Sequence, residues 1–495
     1  MPTFPLPVSR LLMTTLAAFT LAGCATIADA PAARTPMIEV PAIERPHGET
    51  PEWWYLSGAA HAARNGAPGN KAKNVILFLG DGMSLTTVAA ARILAGQREG
   101  RPGEETLLAW EHFPHTALSR TYNTDAQTPD SAGTMTAIAS GVKSHMGAIG
   151  VSAGRTDCAD SRGKEVQSWL RLADDAGMAS GIISTARLTH ATPAAMYAHA
   201  PNRNWESDGD LPPEAVAAGC RDIAQQLLDF APGRGPLVVL GGGRREFLPA
   251  TTADPEYPEQ TGKRRDGRDL TQEWLVAHPG GTVVWNTAQF RAAGDGPLLG
   301  LFEPSHMQYD HDRDTSNDGE PELAELTRAA IARLAQHPEG YVLMVEGARI
   351  DHASHEGNAF RALDETIAMS RAVAAAAEMT SPEDTLIIVT ADHSHTMNFV
   401  GYPPRGNPIL DKVRGDDGSY VLDAFGKPYT TINYANGPGH IALHTDEDDE
   451  EHAHLPRGWR PDLSTVDTEH PDYRQEALVP LRSETHGGDD VGVWA

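Results

Sequence analysis

Three short apolar runs in this chain each end in side chains that have no ordinary place in a core. VILFL leads into Asp81, YVLMV into Glu346, and LIIVT into Asp392 and His393. Runs of this length, rich in β-branched residues, read as buried strands, and strands apolar on both faces belong to parallel sheets covered on both sides. GIIST from Gly181 and LVVLGGG from Leu237 read the same way, while EVQSWLRLADDAG, RDIAQQLLDF and ELAELTRAAIARLAQ carry helical spacing. Strand and helix in alternation predict an α/β fold, a three-layer sandwich with a central, mostly parallel sheet and helices on both faces. A single Asp after a strand is ordinarily a helix cap. Three sets of carboxylates and imidazole at one sheet edge, where open α/β sheets bind ligands, point instead to a site that holds metal.

A length of 495 residues, 40% hydrophobic and 22% charged, allows one large α/β domain with insertions or two or three ordinary domains. The 67 acidic residues outnumber the 40 basic ones, for a net charge of −27. That balance excludes a broad nucleic-acid-binding face, and an anionic substrate would need a local cationic site. The DEDDEE run at 446–451 reads as a solvated loop. Residues 397–440, rich in Gly, Pro, Asn and Tyr, read as an insertion or small β-rich subdomain. At the N-terminus Arg10, an apolar stretch from Leu11 to Ala22 and LAGC ending at Cys24 are too short to span a bilayer and match an export signal. LAGC resembles a lipobox, which predicts lipid on Cys24 and a membrane-anchored exported protein, periplasmic or at the cell surface; a plain cleaved signal is the alternative. Residues 1–24 are then signal, and 25–70 a tether and N-terminal arm. Cys158 and Cys220 remain, either as a disulfide, which export permits, or as two free thiols.

Ser131 lies in TPDSAGTMTAIASG, preceded by Pro129 and Asp130 and followed by small residues of helical character. A serine at a helix N-terminus stands where free N–H groups favour phosphate, although it is also an ordinary N-cap. Its hydroxyl is a weak nucleophile unless activated, and zinc, which accepts mixed His and carboxylate ligands, is the candidate activator. EGARIDHASH offers Glu346, Asp351 and His355, the last two four apart on one helical face. TADHSH offers Asp392, His393 and His395, and THGG offers His486, enough for two zinc sites. Asp81, Glu346 and Thr192 of THAT make an oxygen-rich set suited to magnesium.

Taken in order, these motifs resemble those of the alkaline phosphatase family, closer to its animal-type branch, from about Trp53 to the C-terminus. The resemblance implies hydrolysis of phosphate monoesters through a phosphoserine on Ser131. It implies one zinc on Asp351, His355 and His486, a second on Asp81, Asp392 and His393, and Arg203 of HAPNRNWESD with Asp130 at the phosphate. His190 and His352 would lie near the magnesium and His395 beside the zinc pair. DPEYP with Glu256, LFEP with Phe302 and Glu303, and RDTSND ending in Asp318 resemble the family's peripheral calcium site. Cys158 and Cys220 align with a family disulfide. Residues 71–495 would form the catalytic domain, with a crown-like insertion at 397–440 at a homodimer interface. A diesterase or sulfatase on the related fold is disfavoured by Ser131, since those enzymes often use threonine or a modified cysteine. A non-catalytic metal-binding surface lipoprotein is disfavoured because Ser131 and Arg203 are both present. The chain departs from the pattern in reaching its last residue nine positions after His486 and in an apparent N-terminal, instead of C-terminal, lipid.

Overall fold

Apolar on both faces, the segment Asn74–Gly80 (β1) is stable only inside a covered sheet, and the computed structural model puts it at the centre of one. The structure describes residues 43, 50–64, 71–152, 158–230, 234–439 and 460–495. The expected signal, Cys24 and the acidic run at 446–451 lie outside the described residues. Of the expected N-terminal arm, Pro51–Arg64 is a helix. Among the described residues no helix is long and apolar enough to cross a membrane.

The other strands of the main sheet are β2 (Thr116–Ser119), β3 (Ala179–Arg187), β4 (Val238–Gly242), β5 (Thr282–Val284), β6 (Leu298–Leu301), β7 (Tyr341–Gly347) and β8 (Thr385–Ala391). Four short strands, β9 (Ser394–His395), β10 (Met397–Phe399), β11 (Ile432–Gly437) and β12 (Ala477–Pro480), lie outside it, as does β13 (His486–Gly487), before β14 (Val491–Trp494) rejoins it. The nine-stranded order is β2-β14-β8-β1-β7-β3-β4-β6-β5. Every pairing from β8 to β5 is parallel, and only β14 runs antiparallel, against β8 and β2. Alternate side chains enter two separate cores. Ile76 and Phe78 pack on the side of helices Leu85–Arg98, Leu323–Leu334 and Ala359–Met379, while Leu77 and Leu79 pack with Ala132, Met135 and Leu170 on the other. That period of two divides the molecule into three layers.

The strands read from the apolar runs all form. The helix expected over RDIAQQLLDF is only Ile223–Gln226, because the chain then tightens into i→i+3 bonds, Leu228 N to Gln225 O and Asp229 N to Gln226 O. Strands β2, β5, β6 and β14 have no comparable apolar signal. Residues 397–439 carry β10, isolated bridges such as Lys412 to Thr430 and Leu422 to Pro428, and β11. Strand β11 pairs antiparallel with β10 and parallel with β12. This small sheet carries the chain toward a two-residue antiparallel ladder, His486 to His395 and Gly487 to Ser394, between β13 and β9.

Cys158 and Cys220 are joined by a disulfide that spans 62 residues, including β3 and the segment around Arg203. Closing a loop of that length restricts the unfolded chain by on the order of 4 kcal/mol. Replacing both cysteines with serine is expected to lower the free energy of denaturation by up to that amount, measured by urea titration with a slope that rises as the unfolded chain becomes less compact.

Candidate metal centre

The parallel register decides the site. Gly80 pairs with Gly347 on one side and Ala391 on the other, and Ser184 of β3 pairs with Glu346. Asp81, Glu346 and Asp392 therefore leave one sheet edge side by side. All three are buried, with Asp81 and Glu346 at 0% exposure and Asp392 at 2%. Gly82 turns the chain at φ +66, and a Cβ there would stand 2.2 Å from the His395 ring; the close approach requires glycine. Its N–H donates to Asp392 Oδ1 at 3.2 Å.

Two adjoining groups form. In one, His393 Nε2 lies 3.3 Å from Asp81 Oδ1 and 3.4 Å from Asp392 Oδ2. In the other, Asp351 Oδ1 lies 3.4 Å from the Nε2 atoms of both His355 and His486. The rings of His393 and His486 stack at 3.7 Å between centroids and join the groups. Each histidine is oriented by a backbone carbonyl at its other nitrogen. His355 Nδ1 donates to Glu484 O at 2.5 Å, His486 Nδ1 to Pro129 O at 2.7 Å and His393 Nδ1 to Ser394 O at 3.3 Å. With those protons on Nδ1, every Nε2 presents a lone pair inward.

The donor set fits cations. The Nε2 atoms of His355 and His486 face each other at 3.1 Å, lone pair toward lone pair, unless positive charge lies between them. Asp81 Oδ2, Glu346 Oε1 and Thr192 Oγ1 are buried without a hydrogen-bond partner, although Thr192 and Asp81 are close enough to Glu346 to influence its ionisation. Burial, with the charges of Asp392, Asp351 and Glu346, holds Asp81 well above the usual carboxylate range. Burial also raises Asp392, and it pushes Glu346 up to about 8 against the hydrogen bond from Ser184. Buried carboxylates crowded in this way need a cationic partner. Asp351 is the opposite case: burial would raise it, but His355, His395 and His486 more than offset that and hold it well below its ordinary value.

Ser131 opens helix Ser131–Ser140 as its first residue; Asp130 is the N-cap and accepts from Gly133 N. The small residue at 133 is required, since a Cβ there would meet the Asn123 side chain at 2.6 Å. Ser131 is 2% exposed, and its Oγ lies 3.1 Å from His393 Nε2 and 3.4 Å from Asp81 Oδ1. Arg203 donates to Asp130 Oδ2 and to His190 Nε2, both at 3.1 Å. Behind it His190 meets His306 and His352 edge to face, and His306 and His352 contact each other at a tilt, 4.2 Å between centroids. Burial and neighbouring cations keep His190 and His306 far below the ordinary histidine range, and burial takes His352 to about 3, so all three are neutral.

The motifs pointed to these residues but missed their supports. Glu484 is buried, accepts from His395 Nδ1 at 2.5 Å and from Thr396 N and Oγ1 at 2.6 Å. His395 bridges onward to Asp351 Oδ1 at 2.7 Å. Burial would lower His395, but Glu484 and Asp351 hold it as imidazolium, at about 10. Thr134 donates to Asp392 and Ser184 to Glu346. Thr134 lies within TPDSAGTMTAIASG and Ser184 within GIIST, but Glu484 stands one residue before THGG, in no motif.

The acidic motifs at 254–320 form a separate cluster. Glu256 pairs with Arg244 at 2.7 Å, and Glu303 accepts from Tyr257 at 2.9 Å. Phe302 is buried, its N–H donating to Gly241 O. Asp318 is exposed, with its N–H on Ser316 Oγ. The buried carboxylate that feels Glu303 is Glu320, pushed up to about 8 mainly by burial, with Oε2 unpartnered.

Fold and site together define a metal-binding hydrolase centre with a serine and an arginine at its rim. A family model described as alkaline phosphatase matches residues 72–495. The tissue-nonspecific alkaline phosphatase of Gallus gallus is 49% identical over 437 residues, covering 86% of this chain and 80% of that protein. The Homo sapiens counterpart is 46% identical over 437 residues, covering 86% and 79%. The crystal structure of Thermus thermophilus alkaline phosphatase superposes with a TM-score of 0.58 at 26% identity over 86% of each chain. This chain belongs to the alkaline phosphatase family and is a metal-dependent hydrolase of phosphate monoesters.

Removing the metal should leave the buried carboxylates uncompensated. Glu346 titrates at about 8 when folded against 4.5 as an isolated group, and Asp81 and Asp392 shift in the same direction. A raised folded pKa makes the native state bind more protons than the unfolded chain, so stability is full below the unfolded value and falls as pH rises through the folded one. Calorimetry of chelated and metal-loaded protein is expected to show a gap in Tm that widens from about pH 5 to about pH 8.

Proposed function

We propose that hydrolysis proceeds through a phosphoryl group carried on Ser131. One zinc ion would be held by Asp351, His355 and His486, a second by Asp81, Asp392 and His393, and a magnesium ion by Asp81, Thr192 and Glu346. Mixed imidazole and carboxylate ligands suit zinc, and the all-oxygen set suits magnesium. The observation that carries this reading is the position of Ser131 Oγ, 3.1 Å from His393 Nε2 at the first residue of a helix.

Asp130 caps that helix and grips Arg203, while His190 accepts from the same guanidinium; together they pre-orient a planar fork for two phosphate oxygens. Zinc held by these residues would supply Lewis-acid stabilisation of charge on oxygen. Ser131 Oγ bonds to phosphorus as the bond to the ester oxygen breaks on the opposite side. The hydroxyl proton passes to solvent, because Asp81 and His393 would be engaged as ligands, and the departing alkoxide takes a proton from water. Water then attacks the phosphoserine in line, the Oγ–P bond breaks, Oγ regains a proton and inorganic phosphate departs. Neutral His190, His306 and His352 add no competing charge behind Arg203.

The peripheral cluster is read as a calcium site formed by Glu256, the Phe302 carbonyl and Glu303, with Glu320 a better-placed fourth group than exposed Asp318. Hard oxygen ligands and several buried carboxylates support calcium there. The lipobox resemblance supports export and anchoring through Cys24, and the crown-like insertion supports a homodimer.

Ser131→Ala keeps the ligands and removes the attacking oxygen. Turnover is expected to fall roughly a thousandfold or more, and the phosphopeptide that wild type yields after an acid quench should vanish from the mass spectrum. Phosphate on another residue would replace this mechanism. Glu303→Gln, by contrast, is expected to abolish the Tm gain that calcium gives wild type, on the order of a few degrees, while most turnover at low temperature remains.

A further inference from the structure

A cavity of about 320 Å³ opens beside His355, lined by Arg349, His352, Glu356, Pro438, Arg474, Arg482 and Ser483 as well. Three guanidiniums there face one carboxylate, in a chain whose net charge is −27. The carboxylate is already engaged, since Glu356 accepts from the Tyr309 hydroxyl at 3.1 Å. Arg349 stacks on the Tyr309 ring at 3.8 Å, its NH1 bonds His352 Nδ1 at 2.9 Å, and its Nε is buried without a partner. Arg474 and Arg482 are exposed and have no ion pair among the described residues. Their backbones are nonetheless fixed. Gln475 N donates to Gly357 O at 2.8 Å and Glu484 N to His355 O at 2.9 Å, which ties both segments to the end of helix Arg349–His355.

The cavity also has a definite place relative to the nucleophile. From Ser131 the contacts run to His393, then through its stacked ring to His486, then to His355 and the cavity. It therefore adjoins the Asp351, His355 and His486 group, whereas Ser131 contacts Asp81 and His393 of the other group. In-line transfer sends the leaving oxygen away from the attacking one, so the leaving alcohol exits toward these arginines.

We propose that this cavity is a subsite for a second anionic group on the leaving alcohol, which makes the enzyme prefer phosphate monoesters whose alcohol carries its own carboxylate or phosphate. The inference rests on the reading of Ser131 as nucleophile. Arginine suits either anion, because its fork pairs with two oxygens, and partly exposed cations on a negative molecule also draw in dianions.

The test compares kcat/KM for 4-carboxyphenyl phosphate with that for phenyl phosphate, and for propane-1,3-diol bisphosphate with that for propyl phosphate. Each ratio is measured in wild type, in the Arg474→Ala/Arg482→Ala double variant and in the corresponding double Lys variant. Both arginines are exposed, so the core is left alone. The selectivity ratio is expected to fall about fivefold in the Ala variant, mainly through KM, to recover in part in the Lys variant, and to shrink in wild type at high salt. A fall for the bisphosphate alone would assign the subsite to phosphate, and a fall for both pairs to anions generally. A ratio unchanged in the Ala variant, or a loss shared equally by the charged and uncharged esters, overturns the subsite. Acid-quenched samples of the same reactions report phosphate on Ser131: an unchanged ratio with Ser131 phosphorylated defeats the subsite alone, and an unphosphorylated Ser131 defeats both it and the reading on which it rests.

Discussion

Four carboxylates, Asp81, Glu346, Asp351 and Asp392, are buried within one small volume, and the strands that carry three of them cannot move apart without breaking a parallel ladder. Like charges held in low dielectric repel strongly, and each also loses its hydration. Such a cluster persists only by binding protons or by binding cations. Much of the surrounding structure serves the second outcome: three histidines keep Nδ1 on backbone carbonyls, which leaves their Nε2 lone pairs directed at the same space.

A second tier of contacts fixes the ligands. Glu484 holds His395, which holds Asp351; Thr134 holds Asp392; Ser184 holds Glu346. These partners reduce the freedom of each carboxylate to rotate toward a neighbour, and partners of this kind tune a metal site nearly as much as the ligands do. The ladder between β13 and β9 is equally economical. Two residue pairs bring His486 against His395 from a point 91 positions later in the chain.

Charge is organised at two scales. The molecule as a whole is negative, which disfavours approach of a phosphate ester, yet four of its arginines, Arg203, Arg349, Arg474 and Arg482, lie beside the centre. Arg203 is held by Asp130 and His190, and the arginines beside His355 ring a cavity. Local positive potential within a negative field selects for ligands that carry concentrated charge and penalises large polyanions that would cover the rest of the surface.

The apolar runs by themselves determined β1, β3, β4, β7 and β8 and the parallel, two-faced character of the sheet, because burial on both faces leaves a continuous apolar signature. The motifs at the ends of those strands brought most of the site residues into view, since acidic and imidazole side chains after a buried strand are costly unless they serve a purpose. Strands β2, β5, β6 and β14 were silent, being three or four residues long and held by pairing partners instead of by their own composition. Glu484, Thr134 and Ser184 were silent as well, and exposed Asp318 read like buried Glu320, because nothing in a polar residue's own identity states whether its side chain is covered. Which nitrogen of each histidine faces the metals, which glutamate turns inward, and that three arginines meet beside His355 were decided only by the tertiary structure. Those are relations between segments far apart in the chain, and they exist only once the sheet register and the β13–β9 ladder have set the distances between them.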